Sequence, residues 1–276
     1  MRRNRSSIAW GLALVGLVAA SAVLAPWIAP DPNRQDLGSF LAPPSTAHWL
    51  GTDGLGRDVG ARLVHGARIS LMIGLATGFL SVLIGLPIGA LAGYRGGGAD
   101  AVLSRVIEAT LCFPGLVITI AVLSIGPSWL LALPEPARIA LALSVIGWTP
   151  AARYLRAEFR RLRASEAIAS ARAAGAGHWR IVMHHLLPQS LGSVLVTLAF
   201  GIGAAALSEA TLSFVGVGIS PPTASWGELL HQALHQAGRA WWLALFPGVA
   251  LFILVLGCNE LADGLRAWLD PRRHTA

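Results

Sequence analysis

The feature that most constrains this chain is the recurrence of uncharged apolar runs long enough to cross a hydrocarbon layer. A bilayer core about 30 Å thick takes roughly 20 residues of helix. Six stretches bounded by charge, Pro or Gly reach or approach that length: 8–28, 69–93, 106–125, 137–149, 191–214 and 241–261. The fourth is the weakest, and lengthens only if 129–133 is embedded with it. Unpaired backbone groups are too costly in lipid for anything but helices or closed barrels, and the strict two-residue alternation of a barrel strand is absent. The expectation is an all-α membrane protein with six transmembrane helices. A residue count that is 54% hydrophobic and 13% charged fits lipid better than water as the solvent.

The first run follows Arg2, Arg3 and Arg5 and has small residues near Ala22 and Ala25, which is also the pattern of a secretory signal. Its length, and five further runs that need an anchored start, favour a retained span. A short Gly-rich turn is expected over 94–100, and an external loop over 31–68. The division expected is an N-terminal span with its loop, 1–68, and a five-helix core, 69–276, interrupted by a long polar connection at about 151–189.

All 21 basic residues are arginine, and the net charge is +7. They gather at the ends of apolar runs rather than among exposed aromatics, which speaks for orientation in a membrane and against nucleic acid. Most lie in the N-terminus, 94–105, 150–189 and the C-terminus, so the positive-inside rule places both termini in the cytoplasm. Several tryptophans, among them Trp10, Trp27, Trp129, Trp148 and Trp241, stand near run ends, as interfacial anchors do. Cys112 and Cys258 sit inside apolar runs and give no disulfide or metal framework.

The 151–189 connection is rich in Ala, Arg, Leu and Glu, so it is helix-forming yet exposed. Helical spacing puts Ile168, Ala171, Arg172 and Gly175 along one side. Gly175 and Gly177 permit a sharp break before a second helix from about His178 to Leu187, ended by Pro188. A short helix with small residues on one face suits the groove of another protein. An amphipathic loop lying on the headgroups with snorkelling arginines fits the same composition.

Ionisable groups within the runs have a functional and a structural reading each. Glu108 stands three residues after Arg105, and Glu260 and Asp263 precede Arg266, spacings that favour local ion pairs. Glu209 and Phe214, near the outer end of the fifth run, are the pathway candidates, Glu209 serving either a cargo's amino group or the loop beside it. His231 and His235 are four apart, and His184 and His185 adjacent, but a surface-helix reading of each outweighs a metal site. No H-E-x-x-H, no G-x-S-x-G and no G-x-x-x-x-G-K-[ST] occurs, and there is no lysine with which to build the last. No catalytic residue, metal or cofactor is assigned.

Ala169-Ser170-Ala171, then Gly175, then Leu187-Pro188 stand at the spacing of the EAA loop of ABC importer permeases, although Ala169, Ser170 and His185 replace that pattern's Glu, Ala and Ile. The stretch from His48 to Val59 with Gly66 to Leu71, the stretch from Leu212 to Gly218 with Pro221-Pro222-Thr223 and Ser225-Trp226-Gly227, and the close at Asn259, Gly264, Leu265, Arg266, Asp270, Pro271 and Arg272 resemble the dipeptide, oligopeptide and nickel branch of that family. The resemblance implies a type I importer permease of the bacterial inner membrane with a coupling helix. It implies as partners a second permease, two ABC ATPase subunits and a periplasmic or lipid-anchored solute-binding protein. On the same basis Ala169, Ser170, Ala171, Gly175, Ala176, Gly177, His178, Trp179, Leu187 and Pro188 form the ATPase-coupling set, ATP is hydrolysed by the partners, and peptide cargo is favoured over nickel.

Overall fold

A computed structural model describes residues 2–236 and 238–269, with side chains from Ser6 onward. Asp270, Pro271 and Arg272 of the C-terminal resemblance, and the side chains of Arg2, Arg3 and Arg5, lie outside what is described. The chain is mostly helical, and the described residues contain no strand beyond an isolated bridge between Thr52 and Asp58.

The long helices are α1 (Arg2–Ile28), α2 (Val59–Arg95), α6 (Glu135–Arg163), α9 (Leu187–Phe214) and α11 (Trp242–Leu269). Between them lie α3 (Gly97–Leu111), α4 (Gly115–Ile125), the single turn α5 (Ser128–Leu131), α7 (Glu166–Ala173), α8 (His178–Ile181) and α10 (Trp226–His235). Among the described residues, four helical stretches are apolar and long enough to span a membrane: Ser6–Ile28, Val59–Arg95, His178–Phe214 and Trp242–Leu269; a fifth arises if α3 and α4 form one broken span. The 137–149 run lies inside α6, which is not apolar enough over a full span length to join that group.

Where structure and expectation differ, the cause is local. The third run is not one rod, because α3 and α4 meet at 83° across Cys112, Phe113 and Pro114. The Gly-rich turn at 94–100 shrinks to Gly96, whose φ of 67° ends one helix and starts the next. The helix α2 begins ten residues before the expected second span, capped by Asp58, whose carboxylate accepts from the Ala61 amide at 2.8 Å. The division expected at 68 thus falls inside α2. The helix α6 runs through Pro150, which has no N–H for the Ile146 carbonyl, and the Thr149 hydroxyl donates to that oxygen instead, at 2.8 Å. Pro188 likewise ends nothing. A π turn over Val182–Leu186, closed by the Leu187 amide on the Val182 carbonyl, widens the helix just before it, and α8 continues into α9.

Packing is by close backbone approach. Gly85, Gly89 and Gly93 recur every four residues along α2, and a Cβ at Gly89 would stand 2.6 Å from the Ala152 carbonyl of α6. The α1 and α11 helices meet the same way, with Gly11 against Leu261 and Gly257 against Val15. In lipid such contacts replace the hydrophobic effect as the cohesive force.

The loop before α2 is held by buried charge. Asp53, Arg57, Arg62 and Glu228 are all nearly inaccessible. Arg57 Nε donates to Asp53 at 2.7 Å, and Arg62 donates to Glu228 of α10 at 2.7 Å and to Asn33 at 3.3 Å. Two cations face two anions, so the cluster is neutral. Nearer the surface, the Ser39 hydroxyl and the Gly38 amide both donate to Asp36 and hold its carboxyl below the usual carboxylate range.

Candidate functional site

The 164–189 connection forms a knob at one end of the bundle. The helix α7 ends in a Schellman turn, in which the Ala176 amide donates to the Ala171 carbonyl at 3.0 Å and the Gly175 amide to the Arg172 carbonyl at 2.9 Å. Gly175 takes the left-handed conformation this turn requires, with φ 80°, and a Cβ there would meet nothing. Beneath it Ile168, Ile181 and Leu186 pack with Tyr94, Phe159 and Leu162, and Ala176 lies against them.

The expected side of Ile168, Ala171, Arg172 and Gly175 is therefore divided: Ile168 faces this core, Ala171 is half-buried, and Arg172 and Gly175 are exposed. Ala169, Ser170, Gly177, His178 and Trp179 are exposed as well, Trp179 by 75%. Leu187 is half-buried and Pro188 exposed, the first two residues of α9.

The knob is tied to α2 and α6 by bonds that sequence reasoning missed. Tyr94 shares a hydrogen bond with His178 Nδ1 at 2.8 Å, Arg172 lies 5.7 Å over the Tyr94 ring, and Arg163 donates to the Tyr94 carbonyl at 2.9 Å. On the same side of the bundle Arg156 grips Asp100 of α3 in a two-point ion pair. The only prior signal was a tyrosine at the end of an apolar run.

Between α2, α3, α4, α6, α9 and α11 lies a cavity of about 700 Å³. Its walls are small or apolar residues with scattered hydroxyls, and Arg153 and Arg266 project at it. Neither Glu209 nor Phe214 lines it. Glu209 is fully buried, accepting from the hydroxyls of Ser70 at 3.0 Å and Ser213 at 2.8 Å, and the Trp226 amide donates to the same Ser70 oxygen. It joins α2, α9 and α10. Phe214 is 38% exposed and its carbonyl accepts from His231 Nδ1 at 2.8 Å.

Glu108 pairs with Arg105 at 3.4 Å, both exposed. The pair expected between Arg266 and Glu260 or Asp263 is not formed, since Arg266 turns to the cavity. The rings of His231 and His235 stack edge to face at 5.0 Å, and the described residues hold no group of three metal-ligating side chains.

The sequence profile of binding-protein-dependent transport system inner membrane components matches residues 85–275. The chain belongs to that family. Membership makes it a multi-pass transport subunit of the inner membrane rather than an enzyme. A Brucella suis protein named for a peptide transport system is 42% identical over 271 residues, covering 98% of this chain and 89% of its own length. The glutathione transport system permease protein of Pectobacterium atrosepticum is 37% identical, covering 98% and 88%. The dipeptide transport system permease protein of Alkalihalophilus pseudofirmus is 36% identical, covering 95% and 86%. Among solved structures, the MetNI methionine ABC transporter in an inward-facing conformation superposes with a TM-score of 0.61 at 22% identity, over 75% of this chain and 96% of that one. At that identity the likeness speaks for the fold alone.

Proposed function

We propose that this chain is one of two permease subunits of an ATP-driven importer of peptides, with six spans, the sixth supplied by α6, and both termini in the cytoplasm. The knob of residues 169–179 seats in a groove of a cytoplasmic ATPase subunit, and a solute-binding protein delivers cargo to the opposite face, where the 29–58 loop and α10 lie. The observation that carries this reading is the exposed Trp179 and Gly175 surface mounted on a helix that continues into α9, a wall of the cavity. Closure of the two ATPases then moves that wall, and rocking of the spans opens the cavity to each side in turn. Peptide cargo is preferred because close relatives are named for peptide, dipeptide and glutathione systems.

Copurification and uptake test the proposal together. A tagged chain should bring down a second permease and two ATPase copies. In proteoliposomes with the cognate binding protein, the assembly should accumulate a dipeptide on ATP addition. A chain that purifies alone, or an assembly that imports nickel and no peptide, would overturn it. Accessibility labelling of a cysteine placed at Gly177 checks orientation, since modification from the outer face contradicts the docking role.

A further inference from the structure

We infer that the cavity binds its cargo through a carboxylate, held by Arg153 of α6 and Arg266 of α11. This rests on the permease reading above and names what the pathway recognises. Both arginines line the same 700 Å³ space, and among the described residues neither makes an ion pair or a hydrogen bond. Two other arginines of α6 are committed: Arg156 to Asp100 and Arg163 to the Tyr94 carbonyl. Two uncommitted, exposed guanidiniums at the edge of this largely apolar cavity attract an anion, and their planar donor forks match a carboxylate.

The rest of the lining sharpens the class. Among the described residues no Asp, Glu, His, Cys or Met borders the cavity, so they offer a metal ion or a polyamine no charged or soft ligand there. The hydroxyls of Thr77, Ser81, Thr149 and Thr197 give weak, undirected polarity between apolar walls. Such walls tolerate varied side chains, while a carboxylate at one end is the feature all small peptides share. A cargo with an invariant anionic terminus and a variable middle is what this lining accommodates.

The test uses the whole transporter in phosphatidylcholine nanodiscs without binding protein, so that selection by the latter does not enter. Equilibrium dialysis compares radiolabelled Ala-Ala with its C-terminal amide. Because hydrogen bonds to charged groups are worth more than neutral ones, the free acid should bind about tenfold or more tightly than the amide. Arg153→Gln with Arg266→Gln should remove that difference, and the double Lys variant should restore most of it. Equal binding of acid and amide to the unaltered transporter overturns the inference without any variant, as does a preference that survives in the double Gln protein. A parallel series in phosphatidylglycerol nanodiscs separates the lipid source of anions. If the Gln variants lose only bound phosphatidylglycerol and keep the acid preference, the arginines serve the bilayer and the inference falls. An assembly that imports dipeptide with its binding protein yet shows no acid preference refutes this inference and leaves the permease role standing.

Discussion

Tyr94 Oη and His178 Nδ1 lie 2.8 Å apart, joining the last turn of α2 to the first residue of α8. Tyr94 is 8% exposed while His178 lies at the surface, so this bond is partly shielded from water. Tyr94→Phe keeps the ring under Arg172 and removes only the hydroxyl. It should cost about 1 kcal/mol of stability, a typical net value for one hydrogen bond. Its larger effect should fall on peptide transported per ATP hydrolysed. Proteoliposome uptake with phosphate release measures that ratio, and an unchanged ratio would show that the bond is passive.

Gly175 supplies a positive φ with open space where a side chain would go. Substitution there is thus penalised by backbone strain and not by collision within this chain. Gly175→Asn should be tolerated best, Gly175→Ala should cost roughly 1 kcal/mol, and Gly175→Val more. Thermal unfolding of the purified permease pair ranks the three, and a flat series would contradict the turn geometry.

Trp179 is exposed by 75% and borders the same surface. Trp179→Ala should leave the unfolding temperature nearly unchanged while weakening capture of the ATPase subunits on affinity resin by roughly tenfold, as loss of an aromatic interface anchor does. Full retention of the ATPases by this variant would remove Trp179 from the interface.

Arg62 and Glu228 are 166 residues apart in sequence and 2.7 Å apart in space. Arg62→Met strands a buried carboxylate and should cost about 3–5 kcal/mol. Pairing it with Glu228→Gln should recover a substantial part, because the unpaired charge is gone. A double-mutant cycle on detergent-solubilised protein measures the coupling, and strictly additive losses would count against a direct pair.

Gly89 faces the Ala152 carbonyl so closely that α2 and α6 cannot keep their spacing if it carries a side chain. Gly89→Leu should abolish accumulation of folded protein in the membrane, whereas Gly98→Ala, at a position with nothing within 4 Å, should be neutral. Equal expression of the two would refute the packing described for this helix pair.

That the long apolar stretches are helical was legible in the sequence, because lipid leaves a backbone without two-residue alternation no other solution, but their ends were not, as the early start of α2 shows. Proline was the poor guide. Pro114 breaks its run, yet Pro150 and Pro188 sit inside continuous helices. The Thr149 hydroxyl takes over the carbonyl freed by Pro150, and a wider turn stands just before Pro188. Charge pairs were legible only when local. Arg105 and Glu108 followed helical spacing, but Arg266 left Glu260 and Asp263 for the cavity, and nothing in the order of residues announces that Arg62 meets Glu228. Glu209 stood out as an ionisable group in a run, but only packing reveals that its oxygens are taken by serines.

The helical stretch from His178 to Phe214 is 37 residues long, about 55 Å at the usual rise, and runs on through the π turn and Pro188. On the proposed coupling role, a push at Trp179 would travel along this stretch to Phe214, whose carbonyl is bonded to His231 of α10. On that reading, whatever grips the Trp179 end would tilt the surface proposed to receive cargo, so loading and power stroke would share one mechanical part.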